Sequence, residues 1–219
     1  GSAYGLAKSG DMKYNDAYSE VVGQNFVKAN VPRIIHFIGS SAYNSNNTET
    51  VGTAEGGLKV TLYKINGIDE SKIQTDAYYH RLNEYYFHTM HHEFTHILHQ
   101  KIPYDTIFKL ISEANYRSND WYLYSDETAQ KSGFITSYAM SQPDDDFAET
   151  MSTYVTSSKS EWESDLSTAG TSGAAIINQK LDIIRKYMSE SWGLDIDQLR
   201  DVIQRRASEM KTLDLEHLN

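Results

Sequence analysis

Residues 86–101, YFHTMHHEFTHILHQK, hold five of the chain's eight histidines. Within this run stands His92-Glu93-Phe94-Thr95-His96, which has the H-E-x-x-H spacing of two metal-ligating imidazoles on one helix. A helix is expected here on separate grounds. Phe87, Met90, Phe94, Ile97 and Leu98 recur at steps of three and four, so the pattern predicts a helix from about Asp76 to Lys101, with Pro103 just past its end. Four residues turn a helix by about 400° and advance it by about 6 Å, so His92 and His96 project from one face and can chelate one ion. Glu93 flanks that face, placed to act as general base toward a water made acidic by the ion. His91 points about 100° away from His92 and is not expected as a ligand. His88 and His99 lie near the ligand stripe and are read as supporting or solvated groups, because a catalytic zinc takes three protein ligands and keeps one position open.

The chain has no cysteine, which removes disulfides, thiolate sites and a Cys nucleophile, so any metal must be held by His and carboxylate. The expected complement is one Zn2+ per chain. A hydrophobic content of 39% with 23% charged residues is that of a folded domain. The 219 residues are read as one domain, 1–219, with an entry segment over 1–30 and a helical pair over 174–219. A net charge of −10 argues against nucleic acid or anionic membrane as partner. No apolar run approaches the ~20 residues of a spanning helix. The chain opens at Gly1 without an apolar leader, and composition does not assign a compartment.

Along the chain, a helix is expected over 16–29 and a buried strand over 31–40 (VPRIIHFIGS). Turn chemistry follows over 41–57, then a half-buried strand over 58–66 adjacent to the first. A helix over 104–115 leads into an irregular aromatic stretch, 116–134. Another helix begins in QPDDDFAETMSTYVTS (142–157), with Asp144 or Asp145 as its cap. A Ser/Thr/Gly-rich break over 167–173 precedes the terminal helices.

The motif does not continue to a third histidine, since position 99 is His where that longer pattern has Gly, and position 102 is Ile. The third ligand should therefore be a carboxylate on another helix, either Glu113 in LISEANY or Glu149 in DDDFAETM. Glu149 lies opposite the stripe Phe147, Met151, Tyr154, which would leave it in water unless its helix is covered on both faces. Small neighbours Ala148 and Ser152 would permit close approach of another helix. Asp145 and Asp146, one turn earlier, are candidates to orient a ligand imidazole or to cap the helix.

The segments MHHEFTHILHQK and GFITSYAMSQPDDDFAETMSTYV resemble the putative zinc-binding metallopeptidases known as substrate import-associated zinc metallohydrolase lipoproteins, found beside TonB-dependent nutrient importers. The FAE element is also similar to that of gluzincins related to anthrax lethal factor. The resemblance implies an α+β zincin-like fold, with a small N-terminal sheet, an active-site helix and a mainly helical C-terminal half. It implies zinc ligands His92, His96 and Glu149, Glu93 as base, and outer-membrane attachment through a lipidated Cys that this sequence does not contain. Related enzymes place a phenol opposite the base; Tyr138 is the candidate here, with core packing as its other reading. The expected activity is metal-dependent peptide hydrolysis, with substrate aligned on 56–65. The alternative is a non-catalytic zinc-containing binding or assembly component of an import system.

Overall fold

The structure, a computed structural model, describes residues 17–72 and 75–209. Chain order begins with two short helices, α1 (Ala17–Val22) and α2 (Gln24–Asn30), in place of the one expected over 16–29. The break falls at Gly23, whose φ of 82° interrupts the helix. Tyr18 of α1 packs edge-on against Phe94, with ring centroids 4.8 Å apart, and its hydroxyl bonds to His91 Nδ1 at 2.9 Å. His91 is thus a core residue on the back of the histidine helix.

A three-stranded sheet follows, built from β1 (Ile34–Phe37), β4 (Gly52–Glu55) and β5 (Lys59–Leu62) in the order β1-β5-β4. The expected adjacency of the first and last strands is found, as a parallel pair. Two expectations fail. β1 is mostly exposed, with Ile34 and Phe37 open to solvent on opposite faces, because it is the outer strand, while α4 packs on β4 and β5. The stretch 41–57 is more than turns: it contains the small pair β2 (Ala42–Tyr43) and β3 (Glu49–Thr50), and then β4. β4 and β5 form a hairpin joined by the three-residue loop 56–58, in which Gly56 and Gly57 both have positive φ and Leu58 N donates to Glu55 O at 3.0 Å. Polar Thr/Glu/Gly composition hid β4, since its burial comes from α-helical packing on one face only.

The helical half is organised around two helices. α3 (Asp76–Leu82) passes through a π-helical turn at Asn83–Phe87 into α4 (His88–Lys101), so the expected helix over 76–101 is continuous apart from that turn. α4 packs on α7 (Pro143–Thr156). Between them lie the short α5 (Ile107–Ile111), which replaces the helix expected over 104–115, and α6 (Asp126–Lys131) inside the stretch expected to be irregular. α8 (Lys159–Trp192) continues through the expected break at 167–173 with a local kink at Gly170, and α9 (Ile196–Glu209) follows the left-handed Gly193. α7 is central: α4 covers one side and α8 and α9 the other. Its Phe147 stacks on Tyr104 at 4.2 Å and meets Phe108 and Tyr187 edge-on. Glu149 is therefore buried, because both faces of its helix are covered. No helix among the described residues is long and apolar enough to cross a membrane.

Candidate metal centre

α4 and α7 run in opposite directions, and the register can be read from their contacts. His88 Nε2 meets Ser152 Oγ at 3.0 Å, His92 Nδ1 meets Glu149 Oε2 at 2.9 Å, and His96 Nε2 meets Asp145 Oδ1 at 3.3 Å. Fully buried Ala148 and Ser152 let the helices come this close, as their size predicts. Two i, i+4 pairs thus face each other: His92 with His96, and Asp145 with Glu149.

Among the described residues, His92, His96 and Asp145 each bring a ligand atom to one place, all within 4.8 Å of one another. His92 Nε2 and His96 Nε2 are 3.0 Å apart, and Asp145 Oδ1 lies 3.7 Å from the former. Glu149 does not share this place. Its carboxylate engages the opposite nitrogen of His92, Nδ1, while Thr136 Oγ1 donates to its other oxygen at 3.0 Å and His88 Nε2 lies 3.6 Å from it. Glu149, the expected third ligand, meets His92 at Nδ1, across the imidazole ring from the Nε2 position that Asp145 faces. Glu113 is exposed in a 3-10 turn, Glu113–Asn115, away from the convergent set.

The surrounding bonds fix which atoms are offered. A carboxylate only accepts, so His92 Nδ1 carries the proton and Nε2 presents its lone pair. His96 Nδ1 lies 2.7 Å from His99 Nε2. Burial and the neighbouring His96 pull His99 down to about 4, so it is neutral and can accept from His96. Asp145 Oδ2 takes bonds from Ser141 Oγ at 2.9 Å and Gln142 Nε2 at 2.8 Å, leaving Oδ1 to face the imidazoles. Neither Asp144 nor Asp145 caps α7: Gln142 is the N-cap residue and Pro143 the first helical one. Asp144 instead accepts from Tyr104 Oη at 2.5 Å.

Two imidazole lone pairs and a carboxylate oxygen at one point repel unless a positive charge lies among them. Burial alone would pull the His92 imidazolium down, yet the carboxylates of Asp145 and Glu149 beside it carry it up to about 10, so the site draws positive charge to Nε2, a proton there or a metal in the proton's place. This donor set fits a zinc ion, which favours imidazole nitrogen and carboxylate oxygen and can hold a position open beside three protein ligands.

Glu93 stands beside this set but outside it, 6% exposed, under β4. Burial raises its carboxyl above the ordinary range, against the pull of His92 and His96. The Tyr138 ring lies 5.7 Å from that of His92 and rests edge-on against Trp121 at 5.0 Å. Burial, then the charges of Asp145, Glu149 and Glu93, raise its hydroxyl well above the usual phenol range, so it remains a donor. Cavities of about 590 Å3 and 940 Å3 open on the two sides, and His92, Glu93, Tyr138 and Gly52 line both. The site is thus the midpoint of a continuous cleft. β4, not 56–65, borders it: β5 is the central strand with both neighbours in place, whereas β4 is an edge.

Sequence reasoning placed Asp145 as a group to orient a ligand imidazole or cap the helix, and missed Thr136, Ser141 and Gln142. The legible signal was the i, i+4 spacing of Asp145 and Glu149, which puts both on the face opposing His92 and His96.

The α+β architecture and a His/His/carboxylate cluster on an H-E-x-x-H helix define a zincin-like metallopeptidase fold. A family model described as "Putative zinc-binding metallo-peptidase" matches residues 5–197, and the chain belongs to that family. It is similar to a protein of Bacteroides caccae whose crystal structure is described as that of a putative zinc-binding metallo-peptidase, with 45% identity, a TM-score of 0.77, and coverage of 93% of this chain and 75% of that one. Among curated proteins no match was found.

Proposed function

We propose that the protein hydrolyses peptide bonds, with one zinc held by His92, His96 and Asp145 and with Glu93 as general base. The observation that carries this reading is the meeting of two Nε2 atoms and Asp145 Oδ1 in the middle of a cleft, with an uncommitted buried carboxylate beside them. Zinc, when bound, polarises a carbonyl and makes water acidic. Glu93 takes the water's proton and returns it to the leaving amine. Tyr138, held protonated, offers its hydroxyl to the charge developing on the carbonyl oxygen. Glu149 and His99 hold the two imidazoles in one tautomer and orientation.

β4 supplies the alignment. Val51, Thr53 and Glu55 pair toward β5, as the bond from Tyr63 N to Val51 O at 3.0 Å shows, so alternation turns the backbone groups of Gly52 and Ala54 to the open edge. An extended peptide adds there as a further strand. Gly52 is required for β4 to lie so near the base: a Cβ at this position would stand 2.6 Å from Thr89 Cγ2 and 2.8 Å from Glu93 Oε1. Gly52→Ala should therefore lower peptide turnover about a hundredfold through displacement of Glu93. Zinc content should be unchanged; wild-type turnover in this variant would show that strand and base are not coupled.

Elemental analysis of protein purified without added metal should give one zinc per chain, and chelation should abolish cleavage of a mixed peptide library. Zinc well below one equivalent with no gain on reconstitution would refute the reading. Three convergent protein ligands also weigh against a purely structural site, which closes with four. The setting, an outer-membrane lipoprotein beside a TonB-dependent importer, is supported by the sequence resemblance alone.

A further inference from the structure

Successive residues on a helix point about 100° apart, so Asp146 faces away from the histidines that Asp145 meets. It faces α8, where Lys180 Nζ lies 2.7 Å from Asp146 Oδ2, and neither side chain is exposed at all. The same ammonium donates to Gly133 O at 2.8 Å and sits 3.8 Å from the Phe134 ring centroid. Asp146 also accepts from Tyr116 Oη at 2.9 Å.

The site groups that do not belong to α4 come from two segments. Asp145 and Glu149 stand on α7, whose first turn also carries Asp146. Thr136, which bonds Glu149, and Tyr138, which faces His92, stand three and five residues after Gly133. Lys180 grips both segments through one nitrogen. Buried ion pairs often stabilise a fold no better than apolar residues of the same shape. What an apolar pair lacks is direction: an ammonium with three donors fixes two acceptors relative to each other.

We propose that Lys180 is a positioning residue for the metal centre: it holds the Asp145 turn and the 133–138 loop in fixed register, and so sets the carboxylate side of the site. The proposal rests on the metal reading given above. Its test compares the full chain with Lys180→Met and with the charge-neutral pair Lys180→Met/Asp146→Asn. Three quantities are measured: thermal unfolding of metal-free protein, zinc affinity by chelator competition, and the visible spectrum of the cobalt-substituted site.

The single variant leaves a buried carboxylate without its cation and should lose both stability and zinc affinity. The paired variant removes that uncompensated charge and should recover most of the metal-free stability. Its zinc affinity should still be lowered about tenfold or more, the size expected for loss of an outer support, with an altered cobalt spectrum. A paired variant with wild-type affinity and spectrum would overturn the role of Lys180 while leaving the metal site intact. Failure of wild-type protein to bind zinc or cobalt would overturn the metal reading and this proposal with it. Should the paired variant not fold, Lys180→Leu/Asp146→Leu, which removes both charges and every donor at position 180, serves for the same comparison: unchanged affinity and spectrum overturn the proposal, and weakened affinity with folded metal-free protein supports it.

Discussion

Glu93→Gln protein should keep its zinc and lose peptide hydrolysis by about 10²–10⁴-fold, the range that a positioned general base contributes. The amide matches the carboxylate in shape but does not accept the water's proton. Glu93 lies outside the His92, His96, Asp145 set, so no ligand is removed. Its burial disfavours the ionised form, so the neutral amide should leave the metal-free fold at least as stable as before. Peptide turnover, zinc content and the unfolding temperature of metal-free protein check the three parts. Unchanged turnover would refute the catalytic role and favour the binding-component reading.

Asp145→Ala should empty the site at stoichiometric zinc, whereas Glu149→Ala should weaken zinc affinity about 10–100-fold and leave a site that excess zinc refills. The difference follows from which nitrogen each carboxylate meets. Asp145 Oδ1 faces both Nε2 atoms, and Glu149 reaches His92 only through Nδ1. Loss of Glu149 frees the His92 ring and its tautomer without subtracting a donor. Glu113→Ala, at an exposed position, should change neither zinc affinity nor activity. Chelator competition ranks the three variants. If Glu149→Ala empties the site and Asp145→Ala only weakens it, the ligand assignment reverses.

The histidine helix was legible in the sequence because its information is local. Apolar residues at three- and four-residue steps and an i, i+4 imidazole pair describe one helix and one of its faces without reference to anything else. The same locality put Glu149 next to the small residues Ala148 and Ser152, with Asp145 one turn before it. β4 escaped because a strand so short and polar shows no alternation; it exists through pairing with β5 and packing on α4. β1 misled in the other sense, since a β-branched run reads as buried whether or not anything covers it.

What the sequence determined by itself was the class of chemistry: two imidazoles on one face with a carboxylate beside them, no thiol, and acidic groups on a facing helix. Only the tertiary structure shows which imidazole nitrogen each acid faces: Asp145 the two Nε2 atoms, Glu149 the Nδ1 of His92. That choice depends on the register between two antiparallel helices, where a shift of one turn, about 5.4 Å, exchanges Asp145 for Glu149. Register is set by long-range contacts, among them those of His88 with Ser152 and Thr153, between groups 64 and 65 residues apart in the chain, beyond the reach of any local pattern.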